Sequence, residues 1–170
     1  MKPLKEATSE KHKKAETMPF NIRMFKGMLN EEEYLLYLIQ QLQIFQTIEK
    51  IGLPSDALKR VNAVQEDINE LTSRGNSTNT ILKSTQNYTS HLNNLTYEKI
   101  LPHVYLNYLA IMFGGQQMKK NVPSSGKMYE FENTKEGMQA IRKVQKDEWA
   151  EEVNKGFDFI IEILNELERS

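Results

Sequence analysis

The sequence predicts an all-α protein, and two observations support this fold class. Apolar residues recur at intervals of three and four along almost the whole chain of 170 residues, which is the spacing of one helical face. The five prolines and eight glycines fall mostly between these periodic segments, where they end one helix and precede the next. Because this length suits one domain with a single core, we expect residues 1–170 to form one multi-helix bundle.

Four helices are expected in the N-terminal half, of which the first carries His12. Asn30 is an N-cap candidate for the long third helix, because three glutamates follow it where the helix dipole favours negative charge. The other boundary residues are Pro19 at the start of the second helix, Gly52 and Pro54 at the end of the third, and Asp56 and Gly75 on either side of the fourth.

The sequence predicts four more helices in the C-terminal half. Residues 79–94 have helical spacing but many Asn, Thr and Ser residues, which are weak helix formers. A long helix from about Thr96 to Lys120 is expected to be interrupted at Pro102 and at the pair Gly114-Gly115. Asn133 begins a capping-box-like segment before the next helix, and the last helix runs from about residue 148 to 168.

Composition excludes several classes of function. A formal net charge of −1 argues against binding nucleic acid through bulk electrostatics. Without cysteine the chain cannot form disulfides, a thiolate nucleophile, an iron–sulfur cluster or a Cys-ligated haem site. No stretch approaches the roughly 20 apolar residues of a membrane span, and the N-terminus lacks the apolar run of a signal peptide. We therefore expect a cytoplasmic protein with no membrane contact, and a monomer as the simplest state.

His12 is a candidate metal ligand in the first helix. Glu16 lies four residues later on the same helical face, where a carboxylate can orient the imidazole directly or through water. The alternative is a solvated surface histidine, because the helix is rich in lysine.

The pair Gly114 and Gly115 is the unusual local choice, because each glycine costs roughly 1 kcal/mol relative to alanine within a helix. Close helix packing or a kink would explain the pair without a ligand. A large flat ligand lying against the helix backbone would explain it too, and the two explanations are compatible.

Two separated segments resemble the haem oxygenase family. The first runs from Lys5-Glu6-Ala7-Thr8 through His12 to Ala15-Glu16, and the second is Tyr105-Leu106-Asn107-Tyr108-Leu109-Ala110-Ile111-Met112-Phe113-Gly114-Gly115-Gln116. Length and helix order agree as well, so the resemblance covers the whole chain. The compact, cysteine-free form looks most like enzymes from cyanobacteria and their viruses, the cyanophages. The resemblance implies an all-α bundle with haem sandwiched between a proximal and a distal helix.

The resemblance also implies roles for individual residues. His12 corresponds to the proximal iron ligand and Glu16 to the acid that steadies its imidazole. Haem would contact the distal helix at Ala110, Gly114 and Gly115. The haem propionates would meet Lys5, Tyr105 and a second cation, for which Lys143 is preferred and Arg142 is a close competitor. For these cations the alternative is an ordinary exposed helix face.

The main departure from the family lies in the distal helix. Ala110-Ile111 stands where the family has Gly-Asp, and Phe113 replaces a serine. In the family this aspartate holds waters that deliver a proton, whereas isoleucine has no hydrogen-bonding group. Either other groups organise the waters or oxygen activation is impaired. We favour the first option, with Gln116, Gln117, Asn21 and distal-helix carbonyls as candidates.

The implied activity uses haem b (heme b, iron protoporphyrin IX) as both substrate and cofactor. Haem, O2 and electrons would yield biliverdin, by expectation the α isomer, together with CO and ferrous iron for bilin biosynthesis. A ferredoxin is the expected donor, because an acidic partner suits the basic patch around Lys11, Lys13 and Lys14, extended by Lys119 and Lys120.

Two other classes of function are weighed against this one. The chain could be a haem-binding carrier without turnover, because the distal carboxylate is absent. It could instead be a related helical enzyme with another site, but a di-iron bundle needs paired Glu-x-x-His motifs and a thiaminase-like enzyme needs cysteine. The three histidines supply no such motif. We expect His103 to be structural and His91 to lie on an exposed helix face.

Overall fold

A computed structural model describes residues 1–170 as nine α-helices without any strand, which confirms the all-α prediction. None of these helices combines the length and apolar character needed to cross a lipid bilayer. The helices are α1 (Leu4–Ala7), α2 (Ser9–Glu16), α3 (Pro19–Phe25), α4 (Glu31–Ile51), α5 (Val61–Ser73), α6 (Lys83–Asn93), α7 (Tyr97–Asn121), α8 (Thr134–Val144) and α9 (Ala150–Arg169). Short 3-10 helices occupy Asp56–Leu58, Lys127–Tyr129 and Asp147–Trp149.

The predicted capping residues set the helix boundaries. The Asn30 side chain accepts a hydrogen bond from the Glu33 amide at 2.8 Å, and the Glu33 carboxylate accepts one from the Asn30 amide at 3.0 Å. This reciprocal capping box starts α4. Gly52 ends α4 with a φ of 145°, and a side chain there would meet the Tyr97 ring at 2.8 Å. Asn133 likewise accepts from the Glu136 amide at 3.1 Å and caps α8.

Three expectations about boundaries were wrong. Helix α7 runs without interruption through Pro102 and the glycine pair. Leu101 and Val104 on either side of the proline are almost fully buried, so packing offsets the lost backbone hydrogen bond. The fourth predicted helix begins with a separate 3-10 turn before α5, and α6 begins four residues later than predicted, at Lys83. Ser55 caps the 3-10 turn before α5 by accepting from the Ala57 amide, and Asn, Ser and Thr residues that favour turns fill positions 76–80 before α6.

Most apolar side chains form a main core around α4, the helix that contacts α5, α6, α7 and α9. A second, smaller group joins α1 and α2 to α7 and α9, and we call it the N-terminal cluster. Its buried members are Leu4, Ala15, Leu101, Leu106, Trp149, Val153 and Phe157. This cluster fixes the N-terminal helices, which otherwise share few contacts with the main core.

Two buried charged residues hold the segment between α7 and α8. Asp67 of α5 accepts hydrogen bonds from the backbone amides of Lys127 and Met128, both at 2.9 Å. Arg60, just before α5, donates to the carbonyls of Met128 at 3.0 Å and Glu130 at 2.8 Å. Because these bonds satisfy both buried charges, they fix the segment and its short 3-10 helix, Lys127–Tyr129, against α5.

Candidate functional site

His12 lies on α2 with its imidazole open to solvent. The side chain is 57% exposed, and neither ring nitrogen makes a hydrogen bond. One side of the ring stacks on Phe157 of α9 at a centroid distance of 5.7 Å. Glu16 Oε1 stands 4.0 Å from His12 Nε2, which is too far for a direct hydrogen bond but leaves the carboxylate able to act through water. The imidazole is therefore oriented by packing and free to bind a ligand.

One face of α7 changes from buried to open along its length. Leu106 is buried in the N-terminal cluster, but Ala110, one turn later on the same face, is exposed. Phe113 is 64% exposed, and Gln117 continues the open face. The open stretch thus begins where the N-terminal cluster ends.

The two glycines of α7 have different surroundings. A Cβ atom on Gly115 would lie 3.5 Å from the Tyr129 carbonyl oxygen, an ordinary van der Waals contact, so this residue packs against the segment after α7 and still has room for a methyl group. A Cβ atom on Gly114 would meet nothing closer than Met118 Cγ, at 3.9 Å. Protein packing therefore does not explain the absence of a side chain at Gly114. The backbone there can accept a flat molecule at close range, which is what a haem would require.

The N-terminal cluster connects α2 and α7 through α9. Both helices pack against α9, whereas contacts between α2 and α7 themselves are few. Ala15 is buried in the cluster, and His12 lies three residues earlier on the same side of α2. His12 on one helix and Ala110 on the other therefore border the same cluster.

Arg142 and Lys143 of α8 point to different parts of the surface. The Arg142 guanidinium carbon lies 5.6 Å from the centre of the Phe113 ring. Burial raises the pKa of the Tyr105 hydroxyl, and the nearby Arg142 charge opposes this rise. Lys143 instead lines a separate surface groove with Tyr97. The structure thus brings Arg142, rather than the preferred Lys143, next to Tyr105. Lys5 is exposed and forms no ion pair.

Ile111 is 6% exposed and belongs to the main core. The position that the resemblance equates with the family's aspartate therefore holds an apolar side chain in an apolar setting. Among the proposed water-organising groups, Gln117 lies on the open face of α7, and Gln116 is also exposed. The Asn21 amide nitrogen donates to the Ala15 carbonyl at 3.1 Å, which leaves its side-chain oxygen without a hydrogen bond.

The other two histidines share one carboxylate. His103 is fully buried, as a structural residue would be, and its Nε2 lies 2.9 Å from Glu152 Oε1. The prediction that His91 is exposed was wrong, because its side chain is 20% exposed and its Nε2 lies 2.5 Å from the same oxygen. Glu152 and Phe159 of α9 cover His91. Sequence reasoning missed this cluster because its members are far apart in the chain.

Ion pairs neutralise the charge of two lysines in the predicted basic patch. Lys11 pairs with Asp158, and Lys119 pairs with Glu130 and holds the pKa of that carboxyl below its usual value. The remaining lysines of the patch form no ion pairs and are exposed: Lys13, Lys14 and Lys120.

Comparison with known proteins places the chain in one family. The heme oxygenase family model matches residues 1–166. Among solved structures, heme oxygenase from Leptospira interrogans is 25% identical with a TM-score of 0.78, covering 96% of this chain and 97% of its own. No curated protein sequence matched the chain.

Two cyanobacterial structures share the fold at lower identity. Heme oxygenase-1 from Synechocystis in complex with heme has a TM-score of 0.79 at 20% identity, covering 97% of this chain and 90% of its own. Heme oxygenase-2 from Synechocystis in complex with heme and NO has a TM-score of 0.82 at 19% identity, covering 98% of this chain and 84% of its own. Because the family model spans nearly the whole sequence, this chain belongs to the haem oxygenase family.

Proposed function

We propose that this chain is an active haem oxygenase, with residues 1–170 acting as one catalytic domain. It converts haem b, with O2 and electrons, into biliverdin, CO and ferrous iron. The observation that carries the proposal is the exposed, unbonded imidazole of His12, which borders the same cluster as the open Gly114 face of α7. Membership of the family and the heme complexes of the two cyanobacterial relatives support it.

His12 is the residue assigned to hold the haem iron. Its stacking on Phe157 limits rotation of the ring, and Glu16 stands where a bridging water can bond the imidazole. Haem, as the substrate, supplies both the iron that activates oxygen and the carbon that is oxidised. The protein contributes binding, orientation and proton delivery.

The open face of α7 is assigned to the distal side of the substrate. Ala110 and Gly114 allow close approach to the backbone, and Phe113 adds an apolar ring that excludes water. Since Ile111 cannot hold water, the side-chain oxygens of Gln117 and Asn21 are the groups that we assign to this task.

Lys5, Tyr105 and Arg142 are assigned to the propionates. Each propionate is an anion whose partial burial is favourable only with charge-assisted donors nearby. Arg142 takes precedence over Lys143 because it lies beside Tyr105 and Phe113. These contacts would fix which edge of the substrate meets the oxygen, and we expect the α-meso edge.

The expected electron donor is a ferredoxin that docks at Lys13, Lys14 and Lys120, the exposed lysines without ion pairs. We expect the protein to act in the cytoplasm as a monomer.

A turnover assay with purified protein tests the proposal. Haem, ferredoxin and its reductase should yield biliverdin, identified by absorption and chromatography, together with CO. His12→Ala should abolish turnover and alter the haem spectrum, with partial rescue by added imidazole. An unchanged spectrum in that variant would show that the iron is bound elsewhere.

A haem carrier is the second candidate function, because Ile111 leaves the distal side without a carboxylate. The same assay separates the two candidates. A carrier would keep its haem spectrum under reducing conditions and form neither biliverdin nor CO.

A further inference from the structure

A cluster of potential metal ligands lies outside the proposed haem site. His91 of α6, His103 of α7 and Glu152 of α9 converge from three helices, and their ligand atoms all lie within 4.8 Å of one another. The two Nε2 atoms stand 2.5 Å and 2.9 Å from the same oxygen, Glu152 Oε1. Glu152 Oε2 makes no hydrogen bond, so this carboxylate has unused coordination capacity.

The surrounding residues hold both imidazoles in place. Phe159 packs against the His91 ring at a centroid distance of 5.3 Å. The Tyr88 hydroxyl lies 2.7 Å from His103 Nδ1, and Asn107 donates to that hydroxyl at 3.0 Å. Histidines that bind metals commonly have their second nitrogen hydrogen-bonded in this way, because the bond fixes the ring orientation.

We propose that His91, His103 and Glu152 form a binding site for a divalent first-row transition metal ion. Two imidazole nitrogens with one carboxylate are a donor set that suits zinc, in tetrahedral geometry with water as the fourth ligand. The side chains of His91 and Glu152 are 20% and 29% exposed, which gives ion and water a route from solvent.

The hydrogen-bonded cluster can convert to a metal site by a small rearrangement. Without metal, the Nε2–H group of each imidazole donates to Glu152 and Tyr88 donates to His103 Nδ1. When an ion binds at both Nε2 atoms, each neutral imidazole carries its proton on Nδ1 instead. At His103 the Tyr88 hydroxyl then becomes the acceptor, with its own hydrogen turned away from the ring. Ligand bonds of about 2.1 Å in a tetrahedron separate donor atoms by about 3.4 Å, so the cluster must open slightly. His91 and Glu152, the partly exposed members, can supply that movement.

Metal titration of the intact, haem-free chain tests this site. After treatment with a chelator, Zn2+ should bind with one saturable site per chain in calorimetry, and Co2+ should give the visible absorption of a tetrahedral complex. His91→Gln should weaken Zn2+ binding at least about tenfold, because it removes a ligand at a partly exposed position. Circular dichroism confirms that this variant is folded.

His12→Gln is the matched control, because it removes the only histidine outside the cluster. Zn2+ affinity should be unchanged in this variant. The proposal is overturned if the wild type shows no saturable binding at millimolar Zn2+, if His91→Gln binds as tightly as the wild type, or if His12→Gln abolishes binding. These outcomes are independent of haem turnover.

Discussion

Phe113 is a residue at which this chain departs from the haem oxygenase pattern, and the structure places it beside Arg142, a candidate propionate cation. The guanidinium lies 5.6 Å from the ring centre, a cation–π contact worth about 0.5–1 kcal/mol at an exposed site. A serine at 113 could not form this contact. The departure at Phe113 therefore supports the assignment of Arg142, because the aromatic ring contacts the charge that stands beside Tyr105.

Replacement of Arg142 tests its assignment to a propionate. We expect Arg142→Gln to weaken haem binding about tenfold, because a hydrogen bond to a charged group contributes about 1.5–3 kcal/mol. Lys143→Gln, the adjacent control, should change the affinity less than about twofold, as expected of an exposed charge without a fixed partner. Titration of haem followed by its absorption measures both. A larger effect at Lys143 would reverse the assignment.

Replacement of Gly114 by alanine should have opposite effects on the stability of the fold and on haem binding. Gly114→Ala adds a methyl group into open space, so the free energy of unfolding should rise by about 1 kcal/mol. The same methyl group should weaken haem binding, since it occupies the surface that the substrate would approach.

Gly115→Ala is the comparison for this change, because its Cβ would face Tyr129 instead. Its effect on haem affinity should be the smaller of the two. Denaturant unfolding of the haem-free variants and haem titration provide the measurements. Equal haem affinity in Gly114→Ala and the wild type would argue against a ligand on this face.

At the level of helices, the sequence predicts best the helix boundaries that are set by neighbouring side chains in the chain. The boundaries at Asn30, Gly52 and Asn133 follow from side-chain caps and from a backbone conformation that favours glycine. The continuity of α7 through Pro102 could not be predicted, because it depends on burial by other helices. The covering of His91 by α9 depends on packing in the same way.

Helix α9 supports α7 through a close contact at Gly156. A Cβ atom there would lie 2.5 Å from Leu106 Cδ2 and 3.1 Å from His103 Nδ1. Both neighbours are buried, so Gly156→Ala should lower the free energy of unfolding by about 1–3 kcal/mol despite the better helix propensity of alanine. Denaturant unfolding measures the change, with Gly115→Ala as a helical glycine that has room for the methyl group. A stabilised Gly156→Ala variant would contradict the packing.

At the level of the whole molecule, the sequence identifies the family and the fold but not the details of the site. Motifs on α2 and α7 are local patterns and are visible in one sequence. Which of Arg142 and Lys143 turns towards Tyr105 is decided by the rotation of α8 against α7, and no local pattern encodes it. The burial of Ile111 likewise depends on the surrounding core.

Acid should destabilise the folded chain in two steps. Burial lowers the pKa of His103, so its contribution to stability is present above the unfolded value near 6.5 and is lost as the pH falls below it. Hydrogen bonding from His103 lowers the pKa of Glu152 to about 2, and that contribution is lost between pH 4.5 and 2. Denaturant unfolding of the haem-free protein should give a lower free energy at pH 5.5 than at pH 7.5. Equal values would contradict the first step.

The polar contacts of Asp67 and Arg60 with the segment after α7 bear on where the chain can be lengthened. A segment whose amides and carbonyls are bound by buried charges cannot accept extra residues without breaking those bonds. The connection between α5 and α6 is different, because Ser77 is exposed, as are Gly75 and Asn79 two residues to either side of it. A fluorescent reporter or affinity peptide should therefore be tolerated at Ser77, whereas the same insertion next to Lys127 should prevent α8 from docking.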